Sequence, residues 1–94
     1  MAAEEEPYDL VVAGPAARVI ADRLSEPVAA AVIGLITGDL LVAPRRVGKP
    51  LRRELEGTWA ARRGTFRVLY RIDEDRHEVV VLRVDYRRDV YRSR

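Results

Sequence analysis

Cysteine is absent from this chain, and histidine occurs once, at His77. Without cysteine there is no disulfide framework and no thiolate metal site, a composition that suits a reducing compartment. A single histidine also excludes catalysis by a histidine pair and histidine-rich metal sites. Long hydrophobic runs are missing: the longest, Val28 to Ile36, is too short to span a bilayer and contains Gly34. The first residues, Met1 to Glu6, are acidic and lack the apolar core of an export signal, so the expectation is a cytoplasmic protein without membrane contact. There is no phosphate-binding loop, dinucleotide fingerprint, metal-ligand spacing or nucleophile elbow. Hydrolysis led by a metal or a Ser–His pair has no residues to carry it, and no cofactor is expected.

What remains is a short chain with unevenly distributed charge. Ninety-four residues, 48% of them hydrophobic, suffice for one domain over 1–94 with one modest core. The net charge of +2 conceals a partition. Residues 1–40 carry seven acids and two arginines, whereas residues 41–94 carry eight acids and fifteen bases. Sixteen of the seventeen bases are arginine, whose planar fork matches phosphate in a way lysine cannot. A GC-rich genome favours arginine everywhere, but it does not explain this segregation. The second half therefore reads as a surface that grips a polyanion, with RNA as the first choice.

The order of punctuation and apolar periodicity predicts an α+β fold. Pro7 to Ala13 reads as a strand, broken by Gly14-Pro15. Pro15 opens a helix carrying Ala16, Val19, Ile20, Arg23 and Leu24 at helical spacing. Ser25 caps a second helix with Glu26 and Pro27 in its first turn, ended by Gly38 or Asp39, and the pair forms a helical hairpin. That second helix has no charge between Val28 and Thr37, so whatever the sheet and first helix leave uncovered needs a partner or remains exposed, a demand softened by the small Ala29, Ala30, Ala31 and Gly34. Leu41 to Pro50 reads as a loop, followed by strand-like stretches at Leu51–Leu55 and Thr58–Arg62. Gly64 turns the chain into the strands Thr65–Asp73 and Glu78–Asp85, and a basic, aromatic tail runs from Tyr86 to Arg94. His77, Glu74 and Asp75 are expected to be solvated turn residues.

The last two strands permit a register argument. Phe66, Val68, Tyr70 and Ile72 form one apolar set, and Val80, Leu82 and Val84 the matching one. Placing both on one face requires an odd-numbered loop between Asp73 and His77. One such register sets Arg67 beside Arg83 and Arg63 beside Arg87, an opposition of like charges that an arriving anion would neutralise. Arginine and tyrosine are thus the chemical resources of the chain. RNA cleavage by the neighbouring 2′-hydroxyl needs alignment, charge stabilisation on the phosphoryl oxygens and proton transfer at both ends. Arginines supply the second, and a tyrosine near positive charge can take part in the third. The bland alternative for Arg62, Arg63, Arg67, Arg87 and Arg88 is a solvated sheet face.

Several short motifs stand in a recognisable order: Lys49-Pro50-Leu51, Leu55-Glu56-Gly57, Trp59, Arg62-Arg63-Gly64, Phe66-Arg67-Val68-Leu69-Tyr70 and Arg87-Arg88-Asp89-Val90-Tyr91-Arg92. This set resembles the RelE/ParE superfamily of type II toxins, on the branch of the RelE mRNA interferases. The resemblance implies a RelE-like β-α-α-β-β-β fold with a curved antiparallel sheet and a basic concave face. It further implies a toxin that cleaves mRNA in the ribosomal A site without a metal. Its partners would be the ribosome, mRNA and a cognate antitoxin, with a toxin–antitoxin hetero-oligomer on operator DNA as a further assembly.

By the same resemblance Arg67, Arg87, Tyr91 and Arg62 are the catalytic candidates. Lys49, Arg52, Arg53, Arg63, Arg88 and Tyr86 are the RNA-binding candidates. Two departures bear on the chemistry. Tyr86 stands where many relatives have histidine, and Thr58, Ala60 and Ala61 replace lysines that some RelE proteins carry. The general acid and base are therefore open, with Tyr91 the first candidate and Tyr86 the second. A ParE-like toxin that inhibits gyrase by binding is the alternative of a different class, and an inactive binding module is the third.

Overall fold

A computed structural model describes residues 6–86, in which helices cover one face of a five-stranded sheet. The first strand, β1 (Asp9–Val12), ends at Ala13, which caps α1 (Gly14–Asp22) with Pro15 in the first turn. A second helix, α2 (Glu26–Thr37), starts where Ser25 Oγ accepts a hydrogen bond from the Val28 N–H at 3.4 Å. Glu26 in its first turn complements the helix dipole. The hairpin expected from the Gly-Pro and Ser-Glu-Pro signals is therefore present. No helix among the described residues is long and apolar enough to cross a membrane.

Two departures from the sequence expectation have physical causes. Residues 41–50 are not a loop. They hold two single-turn helices, α3 (Asp39–Val42) and α4 (Pro44–Val47), followed by a short edge strand, β2 (Lys49–Pro50). The fully buried Tyr70 anchors this segment, its hydroxyl donating to the Pro44 carbonyl at 2.6 Å. Gly48 lies against that same hydroxyl and the Ala60 carbonyl, leaving no room for a Cβ. Residues 51–55 are not a strand but an extended entry into a 3-10 turn, Arg53–Leu55, with Arg53 at φ 63°. The turn closes through Gly57 at φ 92° and a Leu51 N–H bond to the Thr58 carbonyl at 2.8 Å. The antiparallel sheet expected after the helical hairpin is present, and the N-terminal strand joins it, so the sheet as a whole is mixed.

That sheet contains β3 (Trp59–Arg63), β4 (Phe66–Asp73) and β5 (Glu78–Tyr86), in the order β1-β5-β4-β3-β2. Strands β2 to β5 pair antiparallel as expected, whereas β1 returns to pair parallel with β5 at the edge. On the helical side, Ala16, Val32, Leu35, Ile36 and Leu40 pack against Ala61, Phe66, Val68, Tyr70, Val79, Val81 and Val84. Fully burying one such aliphatic or aromatic side chain contributes about 1.5–3 kcal/mol, so this layer dominates the stability of the domain.

The β4–β5 register corrects the earlier reading of the core. The apolar set of β4 is as expected, but the β5 core residues are Val79 and Val81 on one side of a bulge and Val84 on the other. The turn between the strands has four residues, an even number, and the irregularity at Leu69/Tyr70 restores the phase. Val80 and Leu82 consequently lie on the face away from the helices. Arg67 faces Asp85, and Leu69 faces Arg83, so the expected Arg67–Arg83 opposition does not occur.

Candidate active site

Alternation along β3 and β4 decides which arginines share a face. Trp59 and Ala61 of β3 pair with Tyr70 and Val68 on the helical side, which leaves Ala60 and Arg62 on the other. Arg67 of β4 pairs directly with Arg62, and on its other flank it pairs with Asp85 of β5. One row across three strands therefore reads Arg62, Arg67, Asp85. Two like charges directly opposed in a sheet are destabilising, and the carboxylate on the third strand offsets part of that cost.

The ion pairs are specific. Arg67 Nη2 donates to Asp85 Oδ2 at 3.0 Å, and Arg83 Nε donates to Asp85 Oδ1 at 3.1 Å. The Asp85 side chain is 30% exposed and that of Arg67 40%, so both remain reachable from solvent. Arg62, Gly64, Thr65, Phe66, Arg67, Asp85 and Tyr86 line a cleft of about 320 Å³ at this end of the sheet. Gly64, at φ 54°, makes the tight β3–β4 turn that forms one wall. An arginine pair beside a carboxylate and a phenol can bind a phosphodiester and move protons around it.

The other sequence candidates are dispersed. Tyr86 is half-buried, pairs with Phe66 and packs partly against the core while lining the cleft. Arg63 pairs with Phe66 on the helical side, so it borders a separate groove beside α2 and not the cleft. Lys49 is exposed on the edge strand opposite Ala60, on the same face as Arg62. Arg52 and Arg53 are exposed at the 3-10 turn, away from the cleft lining. Arg87, Arg88 and Tyr91 lie outside the described residues.

Sequence reasoning missed Asp85, and the signal that would have found it is the pairing of Arg67 once the bulge is known. It also missed the contacts made at the β4–β5 turn: Glu74 and Asp75 are exposed as expected, whereas His77 is half-buried. The Tyr8 ring stacks on His77 with centroids 3.9 Å apart, and its hydroxyl donates to Glu74 at 3.0 Å. Arg45 pairs with Glu74 at 2.6 Å, and their hydrogen bond holds the Glu74 carboxyl below its ordinary value. His77 Nε2 lies 2.9 Å from the Glu6 carbonyl, and His77 itself sits at φ 55°. This cluster pins the N-terminal strand to the turn at the end of the sheet opposite the cleft.

A helical hairpin on a five-stranded mixed sheet is the fold this chain shares with RelE-like toxins. The family described as ParE toxin of type II toxin-antitoxin system, parDE, matches residues 12–91, and the chain belongs to this family. Within it the chain is RelE-like. It is 59% identical over 70 residues to Toxin RelG of Mycobacterium tuberculosis, covering 74% of this chain and 80% of that one. It is 43% identical over 89 residues to Toxin RelE of the same organism, covering 95% and 91%. In the crystal structure of the toxin–antitoxin complex RelBE2 from M. tuberculosis, the matching chain superposes with a TM-score of 0.84 at 51% identity. That match covers 87% of this chain and 100% of the other.

Proposed function

We propose that this protein is a ribosome-dependent endoribonuclease, the toxin of a type II pair, which cleaves mRNA in the ribosomal A site by attack of the 2′-hydroxyl. The observation that carries this reading is the cleft in which Arg62 faces Arg67 beside Asp85 and Tyr86. Two guanidiniums held against their mutual repulsion stabilise the negative charge that gathers on the phosphoryl oxygens in the transition state. No metal and no protein nucleophile are needed for this chemistry, because the nucleophile belongs to the RNA. Arg87 follows Tyr86 directly in sequence, and we assign Arg87 and Tyr91 to the same site by the family motif they complete. Lys49, Arg52, Arg53 and Arg88 serve the flanking phosphates, and Arg63 adds to this charge from the other face.

The partner of such a toxin is a cognate antitoxin, a reading supported by the 51% identical chain in a toxin–antitoxin complex. The site of action is the cytoplasm, on translating ribosomes, and the assembled pair binds its operator DNA. A second reading keeps the fold and changes the target. The matching family is that of the ParE toxins, and a ParE-like member would inhibit gyrase by binding without cutting RNA. Brief expression of the toxin followed by mapping of mRNA ends separates the two. New ends within codons are expected, whereas intact mRNA together with loss of DNA supercoiling by gyrase would assign the second reading.

A further inference from the structure

Attack by a 2′-hydroxyl requires a group that takes its proton, and the cleft offers few. Guanidiniums cannot accept, since arginine is always charged. A tyrosine phenol keeps its proton at neutral pH, and a threonine hydroxyl is a poorer base still. The only histidine lies at the opposite end of β5, roughly 25 Å away at the usual rise per strand residue, and is engaged by Tyr8 and Glu6. Among the described residues lining the cleft, Asp85 alone carries a carboxylate.

From this we propose that Asp85 is the general base of the cleavage, an inference that rests on the nuclease reading above. Its two oxygens offer about four acceptor positions. Arg67 and Arg83 occupy one on each oxygen, which leaves the remainder free to meet a ribose hydroxyl. The same contact fixes geometry: the carboxylate that takes the proton is held against the guanidinium of Arg67, which receives the phosphate. In the step, the 2′-O–H bond breaks and its proton passes to an Asp85 oxygen. The 2′-oxygen forms a bond to phosphorus, the P–O5′ bond breaks, and the 5′-oxygen takes up a proton from solvent. The products are a 2′,3′-cyclic phosphate and a 5′-hydroxyl, after which Asp85 returns its proton to solvent. No electrons leave or enter the system.

The alternative is that Asp85 only positions Arg67, and a double-mutant cycle separates the two roles. The measurement is the single-turnover cleavage rate of mRNA on programmed ribosomes for wild type, D85N, R67A and the double variant, with melting temperatures alongside. Asparagine still accepts from Arg67 but cannot take a proton, so D85N is expected to lose about 10²–10⁴ in rate. In the R67A background it is expected to lose at least a further order of magnitude, about tenfold or more, because the proton must still be removed. A D85N rate within about threefold of wild type would overturn the assignment. So would an unchanged rate on adding D85N to R67A, which would make Asp85 a positioning residue only. If D85N does not fold, Asp85→Glu decides: a folded Glu variant that cleaves supports the carboxylate, and a folded one that does not overturns it. Wild-type protein that leaves mRNA intact would instead remove the nuclease reading, and this inference with it.

Discussion

Arg67 lies between a like charge on one strand and an opposite charge on the other, and its expected mutational behaviour follows from that placement. Its ion pair with Asp85 is partly exposed, and pairs of that kind contribute about 0–1 kcal/mol. Removing it also relieves the repulsion with Arg62. Arg67→Ala should therefore keep a near-normal melting temperature while losing about 10²–10³ in cleavage rate, the usual effect of deleting one transition-state donor. A purified variant that cuts at the wild-type rate would show that Arg67 takes no part. Tyr91 calls for a different comparison. If its hydroxyl transfers a proton, Tyr91→Phe loses about 10²-fold or more. If the ring stacks on a base, Phe retains the rate and Ala loses it, stacking being worth about 1–3 kcal/mol. Full cleavage by Tyr91→Ala at unchanged stability would make Tyr86 the better candidate. Tyr70 is structural, and burial pushes its hydroxyl up to about 12. Below about pH 10 that group is protonated whether folded or unfolded, so its contribution is intact. As pH rises from about 10 through 12 the unfolded chain loses the proton first, and stability falls by about 3 kcal/mol in all. Denaturant titrations from pH 9 to 12 should show this loss in wild type, and Tyr70→Phe should lack it.

At the scale of elements, α2 carries the clearest unmet requirement. Its buried side meets the sheet through Val32, Leu35 and Ile36, yet Ile33 remains 47% exposed and Ala30, Ala31 and Gly34 are also exposed. Pro27, Val28, Ala31, Gly34, Leu35 and Phe66 are among the residues that border a groove of about 570 Å³, with Arg63 at its rim. The proposed antitoxin is expected to cover this side, so hydrogen exchange across Val28–Ile36 should slow when the complex forms. Unchanged protection there would place the antitoxin elsewhere. The elements also show what the sequence made legible. Helices α1 and α2 and strand β4 were readable because Gly14-Pro15, Ser25 and strict alternation mark them locally. The phase of β5 was not, since Val79 to Leu82 are all apolar and only pairing reveals the bulge. The short elements at 39–50 were hidden because their anchor, Tyr70, lies far along the chain. At the site, Arg62 and Arg67 were legible from their faces and from the motif, but Asp85 depends on register and was overlooked.

Across the whole molecule, the partition of charge matches the partition of structure. The acidic first forty residues build β1, α1 and most of the helical layer, whereas the basic remainder supplies β2 to β5 and the arginine cleft. The two ends of the sheet differ accordingly. One is fastened by Tyr8, His77, Glu74 and Arg45, and the other leaves arginines open to a polyanion. A fastened end and an open end suit the proposed RNA cleavage, in which the protein would bring positive charge and the substrate its own nucleophile. The most direct test of that claim uses two mRNAs on otherwise identical ribosomes, one unmodified and one with a single 2′-deoxy nucleotide at the scissile position of the A-site codon. The account predicts that purified toxin cuts the first, leaving a 2′,3′-cyclic phosphate and a 5′-hydroxyl, and leaves the second intact. Cleavage of the 2′-deoxy message at the same position, or no cleavage of either, would contradict it.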